Sequence, residues 1–202
     1  MAMRACMHWH YFQVCRDKVK EYEIIEEEIE NYRKSSKGQY VLEIEEKIAD
    51  AYSRRERAVV IPIVFGAMCL EAFIYDYGAN HISGKYMKEH LDKLTFPSKF
   101  LVVSKLVTGK QFPTNSQAYE GLVKLKEDRN NLVHFKSKHF SDSQLAELET
   151  WHSEMNTKLR SAMYNAYNTV PKVMDELDKL HGGTTNYKQA ITNTKVLCIT
   201  RA

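Results

Sequence analysis

Apolar side chains recur at steps of three or four along most of the chain, which is the pattern of helices that bury one face. The first predicted helix spans residues 13–34, which are rich in glutamate, and a Ser-Ser-Lys-Gly sequence ends it. A second and longer helix begins near Tyr40 and runs through a strongly apolar stretch. Pro62 should kink this helix near its middle, and Gly78 with Asn80 should end it.

Shorter helices are predicted in the middle of the chain. Residues 84–110 indicate one or two short helices, and residues 116–135 indicate the next full helix. Before that helix, Thr114 and Gln117 resemble a capping box, in which a hydroxyl and an amide satisfy the first free backbone N–H groups.

A long helix closes the predicted fold. Ser141 and Gln144 form a second capping-box pattern, and an apolar stripe follows it to Leu177. Pro171 should bend this helix, and His181 with the two glycines after it should end it. No strand pattern is present, so the predicted class is all-α, an antiparallel bundle of four to six helices with short connections.

The same pattern suggests how the chain is organised. We predict an N-terminal helical extension over residues 1–38, a helical bundle over residues 39–182 and a C-terminal tail over residues 183–202. The tail is rich in threonine and has no acidic residue, and its pattern fits a short strand, an arm on a partner subunit or a disordered segment.

Composition indicates a globular chain outside the membrane. The 202 residues are 44% hydrophobic and 27% charged, which is typical of folded soluble proteins. The N-terminus lacks the continuous apolar core of a signal peptide. The longest charge-free apolar run, Ala58–Leu70, has thirteen residues, which is too short to cross a bilayer and fits a buried core helix. We therefore expect a cytoplasmic protein with no membrane partner.

The cysteines do not indicate a metal site. All four are expected to be free thiols in a protein without an export signal. Cys6, His8, His10 and Cys15 lie close together near the N-terminus, but their C-x-H-x-H-x4-C spacing matches no common zinc site. We predict no metal there, and interpret the segment as a helix or arm whose aromatic side chains pack on the body of the protein.

Positive charge is concentrated in one part of the chain. The net charge is +3, but residues 81–140 hold eleven lysines or arginines against five acidic residues, a local net charge of +6. A basic zone of this kind fits a ligand that carries phosphate, although a solvated lysine face would have the same composition. Inside this zone lies the sequence EDRNNLVHFK, residues 127–136.

Arg129 lies on the apolar side of its predicted helix. The core-facing row of that helix consists of apolar residues at helical spacing: Ala118, Leu122, Leu125, Leu132. A charge on such a row is costly unless it is paired. Glu71 poses the same problem on the preceding long helix, so we expect Glu71 and Arg129 to meet on facing helices. Asp128 or a nearby lysine would be the alternative partner of these charges.

Asn130 and His134 complete a candidate site at the end of the same helix. They are four positions apart, so they share a helix face, and the long side chain of Arg129 can reach towards them. Histidine can move a proton near neutral pH, and the arginine fork can hold phosphate oxygens. This combination suits phosphodiester chemistry. The plain alternative is a salt bridge at Arg129 and a helix-capping histidine.

The sequence DRNNLVHFK, together with GAMCLEAFIYDYG upstream, resembles the HEPN superfamily (higher eukaryotes and prokaryotes nucleotide-binding domains). The signature of this family of helical bundles is an arginine, four to six residues and a histidine, often with a polar residue directly after the arginine. The resemblance, over about residues 40–180, implies a metal-independent endoribonuclease without a cofactor. It also implies a homodimer in which the two motifs meet across the interface.

The resemblance assigns roles to individual residues. It implies catalytic roles for Arg129, Asn130 and His134, supported by Glu71 and Asp128. His134 would help to deprotonate the ribose 2′-hydroxyl or to protonate the leaving 5′-oxygen. Arg129 would stabilise the charge on phosphorus, and Asn130 would orient the phosphate or the imidazole. The products would carry 2′,3′-cyclic phosphate ends.

Partners follow from the same resemblance. The substrate would be RNA, with Lys126, Lys136, Lys138 and His139 as candidate contacts. Many HEPN proteins are toxins of toxin–antitoxin pairs or effectors of antiviral defence, so a separate antitoxin or sensing protein is a further expected partner. Some members have a tyrosine two places after the histidine, where this chain has Lys136, so that mode of control is not carried over. The alternative function is a non-catalytic HEPN-like module that binds protein or nucleotide.

Overall fold

The computed structural model describes residues 7–185 together with Tyr187 and Ile191, and these residues contain helices and no strands. The α-helices are α1 (His8–Ser36), α2 (Leu42–Gly78), α3 (Gly84–Tyr86), α4 (Phe96–Thr108), α5 (Gln117–Val133) and α6 (Leu145–Leu180). Two π-helical turns, Ala79–Ser83 and Met87–Leu91, flank α3, and a 3₁₀ turn, Asp142–Gln144, precedes α6. The predicted all-α helical bundle is confirmed.

Helix α2 is the centre of the bundle, because α1, α4, α5 and α6 all pack against it. Its inward face consists of side chains with no or almost no exposure: Ala58, Ile63, Ala67, Leu70, Ile74. Each large aliphatic side chain buried in this way contributes about 1.5–3 kcal/mol. Gly66 lets α6 approach closely, because a Cβ atom at that position would lie 3.1 Å from Cβ of Ala166.

Helix α1 packs along α2 and shares its core. Its inward residues follow helical spacing and are buried: Phe12, Cys15, Val19, Tyr22, Ile25, Ile29. At the rim, Arg54 of α2 lies 2.6 Å from Glu28 and Arg55 lies 3.0 Å from Glu26. The helix begins at His8, five residues before the predicted start at residue 13. The described part of the predicted N-terminal extension thus consists mainly of one long helix that packs against α2.

Gly78 ends α2 as predicted, but the chain does not leave the helical path there. Its φ of −64° is helical, and Asn80 lies inside the π-helical turn that follows, so Gly78 ends the α-helix but Asn80 does not help to break the helical path. The small size of Gly78 serves packing instead, since a Cβ atom there would lie 2.8 Å from Cε of Met87.

One predicted cap is confirmed and one is wrong. The Ser141–Gln144 capping box is present before α6, where the Ser141 N–H donates to Oε1 of Gln144 at 3.0 Å. Before α5, the cap is Ser116 and not Thr114, because the Ser116 hydroxyl accepts the Tyr119 N–H at 3.2 Å. The Ser116 hydroxyl also donates to the Pro113 carbonyl at 2.7 Å, which fixes the turn that leads into the helix.

The end of α6 is as predicted. His181 follows the last helical residue, and Gly182 and Gly183 adopt φ values of 75° and 77°, a region that favours glycine. Pro62 and Pro171 both lie inside continuous helices. Most of the C-terminal tail lies outside the described residues, as does Cys6.

The apolar stretch of α2 extends beyond the thirteen charge-free residues Ala58–Leu70 when a few charged residues are allowed. Among the described residues, the segment Leu42–Leu91 is long and apolar enough to cross a membrane, with an 18-residue window of mean hydropathy 2.1. However, 56% of that window is buried inside the protein. This burial supports the predicted core helix, because neighbouring helices cover the surface that lipid would otherwise contact.

Candidate active site at the end of α5

Helix α5 places the predicted motif at its last turn. Its first half is anchored in the core by three buried side chains: Ala118, Leu122, Leu125. The helix ends at Val133, and His134 is the residue that caps it, with its backbone N–H donating to the Asn130 carbonyl at 2.9 Å. The motif therefore lies where a regular helix gives way to an exposed connection.

Glu71 and Arg129 form the predicted ion pair between α2 and α5. Nη2 of Arg129 donates to Oε1 of Glu71 at 3.0 Å, and Nη1 donates to Oδ1 of Asn130 at 3.1 Å. The Arg129 side chain is 31% exposed and the Glu71 side chain 37% exposed. The pair lies at the edge of the core, where the guanidinium reaches solvent while its stem packs inside.

The Arg129 guanidinium keeps unused donors. A guanidinium has five N–H donors in a planar fork, and hydrogen bonds to the described residues use two of them. The remaining N–H groups can donate to a phosphate oxygen without breaking the Glu71 contact. Glu71 therefore orients the group and partly compensates its charge.

Asp128 does not pair with Arg129. Its Oδ1 accepts a hydrogen bond from the Lys124 ammonium at 3.2 Å, one turn earlier on α5. Its Oδ2 is buried and has no hydrogen-bond partner among the residues of the structure. Burial raises the pKa of Asp128, and the neighbouring Lys124 opposes that rise only in part.

His134 is exposed at the end of the helix. Its side chain makes no hydrogen bond or ion pair with the part of the chain that the structure describes. The structure brings together Glu71, Arg129 and Asn130, and leaves the imidazole of His134 in solvent one turn after Asn130.

The predicted RNA contacts lie around this end of the helix. Lys126 is half-buried on α5, two turns before His134. Lys136, Lys138 and His139 are exposed in the non-helical connection that follows α5. The Lys138 ammonium lies 4.8 Å from the centroid of the Phe140 ring, a distance that favours a cation–π contact.

A groove between α5 and α6 was not predicted from the sequence. It has a volume of about 680 Å³ and is lined on one side by Asp128 and Leu132 of α5 and by Phe135, two residues after the end of that helix. Met155 and Leu159 of α6 form its opposite wall. Asp128 and Leu132 are four positions apart, so helical spacing could have placed them together, but only the position of α6 and the path of the chain after Val133 make the groove.

Helix α1 does not bring His8, His10 and Cys15 together on one face. Nδ1 of His8 lies 3.3 Å from Oδ2 of Asp76, and Cys15 is fully buried in the core. His10 points to the exposed side of the helix. Within residues 7–185, Tyr187 and Ile191, no three His, Cys, Asp or Glu side chains are grouped so that they could hold a metal ion.

The chemistry that the α5 end offers is proton transfer and anion binding. An arginine fork fixed by a carboxylate lies in the last turn of α5, and a solvent-exposed imidazole follows directly after that helix, in the basic part of the chain. Both groups are of the kind that act on phosphate esters. Comparison of the chain with protein-family models, with curated proteins and with solved structures found no match.

Proposed function

We propose that the chain is a metal-independent endoribonuclease of the HEPN type. The observation that supports this most is the Arg129 guanidinium, which Glu71 fixes at 3.0 Å while further N–H donors remain for a phosphate. An exposed histidine at the end of the same helix supplies the group that can move a proton.

The proposed reaction is attack by the ribose 2′-oxygen on the adjacent phosphorus. A base removes the 2′-hydroxyl proton, the new P–O2′ bond forms, and the P–O5′ bond breaks as an acid protonates the 5′-oxygen. The products are a 2′,3′-cyclic phosphate and a free 5′-hydroxyl. His134 would act as the base or the acid, and Arg129 would stabilise the extra negative charge on the phosphate oxygens. Asn130 would orient the phosphate or the imidazole.

A second copy of the chain would complete the chemistry, since each motif supplies one histidine and the reaction moves two protons. Exposed apolar side chains near the motif support a self-association surface. Val133, next to His134 in the sequence, is 60% exposed, and Leu145, at the start of α6, is 65% exposed. Large exposed apolar side chains of this kind are candidates for an interface. In the cell, such an enzyme would be a cytoplasmic toxin or defence effector restrained by a separate antitoxin or sensing protein.

The alternative function is a binding module without catalysis. It is favoured by the ion pair itself, because Glu71 compensates the charge of Arg129 and could make that arginine a structural residue. The same basic surface would then hold a nucleotide or a protein and leave it intact.

The test is cleavage of a short labelled RNA by the purified full-length protein in the presence of EDTA. The proposal predicts fragments that end in a 2′,3′-cyclic phosphate. Replacing the ribose on the 5′ side of each cut by 2′-deoxyribose should abolish cleavage there, because the attacking oxygen is gone. Cleavage of the deoxy-substituted bond at an unchanged rate would overturn the mechanism.

A further inference from the structure

The groove between α5 and α6 lies directly beside the candidate active site. Phe135 lines it and is the residue immediately after His134, and Asp128 lines it and immediately precedes Arg129. Its volume, about 680 Å³, is in the range of small-molecule sites, about 300–1,000 Å³. A ligand bound here would have one end close to the α5 turn that carries the motif.

The walls of the groove suit a flat apolar body. Leu132 and Leu159 are partly buried side chains that pack against the hydrophobic core, and the buried Ile63 of α2 also lines the groove. Phe135 is 53% exposed, and its ring centroid lies 6.3 Å from that of Trp151, so part of the ring surface remains open to a ligand. Exposed aromatic side chains of this kind can stack on nucleobases.

Two of the polar side chains that line the groove, Lys124 and Asp128, form a donor next to an acceptor. Other polar side chains also line it: Glu127, Asn131, Thr157, Lys158, Ser161. The Lys124 ammonium donates to Oδ1 of Asp128 at 3.2 Å, and both residues line the groove. Oδ2 of Asp128 lacks a partner among the described residues. Oδ2 is closed from the groove as the side chain stands, but the torsion that turns an aspartate carboxylate is broad, so a partial rotation on ligand binding can bring both oxygens to the groove. An unpaired buried acceptor is costly, and a ligand that donates to it would recover that cost.

We propose that this groove binds a guanine base of the RNA substrate, with Asp128 as the residue that determines base specificity. The inference rests on the proposed ribonuclease function and names the nucleotide that the enzyme would select. Asp128 accepts hydrogen bonds from N1–H and the 2-amino group of guanine, Lys124 donates to O6, and Phe135 stacks on the ring.

Guanine is the base whose Watson–Crick edge matches this pattern. It presents an acceptor, O6, followed by two adjacent donors, N1–H and the 2-amino group. Adenine and cytosine place a ring nitrogen acceptor beside their amino group, which would repel the carboxylate. Uracil has a single N–H between two carbonyl oxygens. Proteins read such edges in single-stranded RNA by hydrogen bonding and stacking.

Calorimetric titration of the full-length protein with three nucleotides tests the proposal. Guanosine 3′-monophosphate should bind about 5- to 150-fold more tightly than adenosine 3′-monophosphate, the discrimination typical of a well-placed bidentate contact. Inosine 3′-monophosphate lacks the 2-amino group and should fall between them. Asp128→Asn keeps the side-chain volume and should bring guanosine and adenosine nucleotides within about 3-fold of each other.

Asp17→Asn is the matched control, because it removes an exposed carboxylate on α1, and it should keep the wild-type preference. Equal binding of guanosine and adenosine nucleotides by the wild type, or no binding of either, would overturn the guanine site. The ligand series needs no variant, so a folding defect in Asp128→Asn would leave this test intact.

The two proposals fail in different ways. If the protein prefers guanosine nucleotides but cleaves no RNA, the groove stands and the ribonuclease proposal fails. If it cleaves RNA in EDTA without a guanine preference in either binding or cut sites, the ribonuclease stands and the guanine site fails.

Discussion

Glu71 on α2 accepts a hydrogen bond from Arg129 on α5 at 3.0 Å, and through it the core helix of the bundle fixes the central residue of the motif. The two positions are 58 residues apart in the chain. Arg129 in turn donates to Asn130, so three polar side chains form a continuous set at the end of α5. The geometry of the candidate site therefore depends on how α5 packs against α2.

The Glu71–Arg129 pair should contribute little to stability. Both side chains are about one third exposed, and ion pairs at such positions are typically worth about 0–1 kcal/mol. A double-mutant cycle of Glu71→Gln and Arg129→Gln, measured by urea denaturation, should give a coupling free energy in that range. A coupling above about 3 kcal/mol would show that the pair behaves as a buried one and has a structural role.

Arg129→Lys should show whether RNA cleavage needs the planar guanidinium of Arg129 or only its positive charge. The lysine keeps the positive charge but loses the planar fork that can contact Glu71, Asn130 and a phosphate together. We expect a folded protein whose RNA cleavage rate is lower by at least about 10-fold, since one well-oriented donor to the transition state is worth about 10²–10³ in rate. Equal rates for the lysine variant and the wild type would mean that charge alone suffices.

Asp128→Asn should stabilise the protein at neutral pH. Burial raises the pKa of Asp128 above its ordinary value of 3.8, so ionising the carboxyl in the folded state costs free energy. The cost is absent below about pH 3.8, where both folded and unfolded forms are protonated, and complete once the pH exceeds the raised folded pKa. The free energy of unfolding of the asparagine variant should therefore exceed that of the wild type at pH 7.

The measurement for Asp128 is urea denaturation of both proteins across this pH range. The advantage of the asparagine variant should shrink towards zero as the pH falls to about 3.8. An asparagine variant that is less stable at pH 7, with the gap closing in acid, would show that the Lys124 ion pair outweighs desolvation. Asp17→Asn, which removes an exposed aspartate on α1, is the control.

Gly121→Ala should lower the stability of the protein by overpacking the contact between α5 and α6. A Cβ atom at Gly121 of α5 would clash with the hydroxyl of Thr169 on α6 and would lie 3.2 Å from Cγ2 of Thr169. Overpacking of this kind typically costs about 1–3 kcal/mol, which a lower denaturation midpoint would report. Adding Thr169→Ala should recover part of the loss, because it removes both crowding atoms. Full stability of Gly121→Ala alone would contradict this contact.

One contact of the site could be predicted from the sequence, because a charged residue on an otherwise apolar helix face is easy to recognise. Glu71 and Arg129 each interrupt a run of buried positions, and pairing them was the simplest way to avoid two uncompensated charges. The long helices followed from periodicity in the same way. The residue that caps α5 could not be predicted in this way. Thr114 and Ser116 are both hydroxyl residues before α5, and only the backbone path decides which one caps it.

The groove beside the site could not be predicted from the sequence, because it belongs to two helices at once. The spacing of Asp128 and Leu132 places them on one face of α5, but that face could equally have been solvated. Phe135 joins them only through the path of the chain after the helix ends, and the middle of α6 lies opposite and completes the groove. The π-helical turns around α3 likewise depend on packing, with Gly78 admitting Met87.

The most direct test of the account is RNA cleavage in EDTA by wild-type protein, Arg129→Ala and His134→Ala. His152→Ala is the control, because it removes another exposed histidine, on α6. The account predicts that the wild type and His152→Ala cleave RNA, and that Arg129→Ala and His134→Ala, although folded, are inactive. Cleavage that survives both motif substitutions, or no cleavage by any of the four proteins, would contradict it.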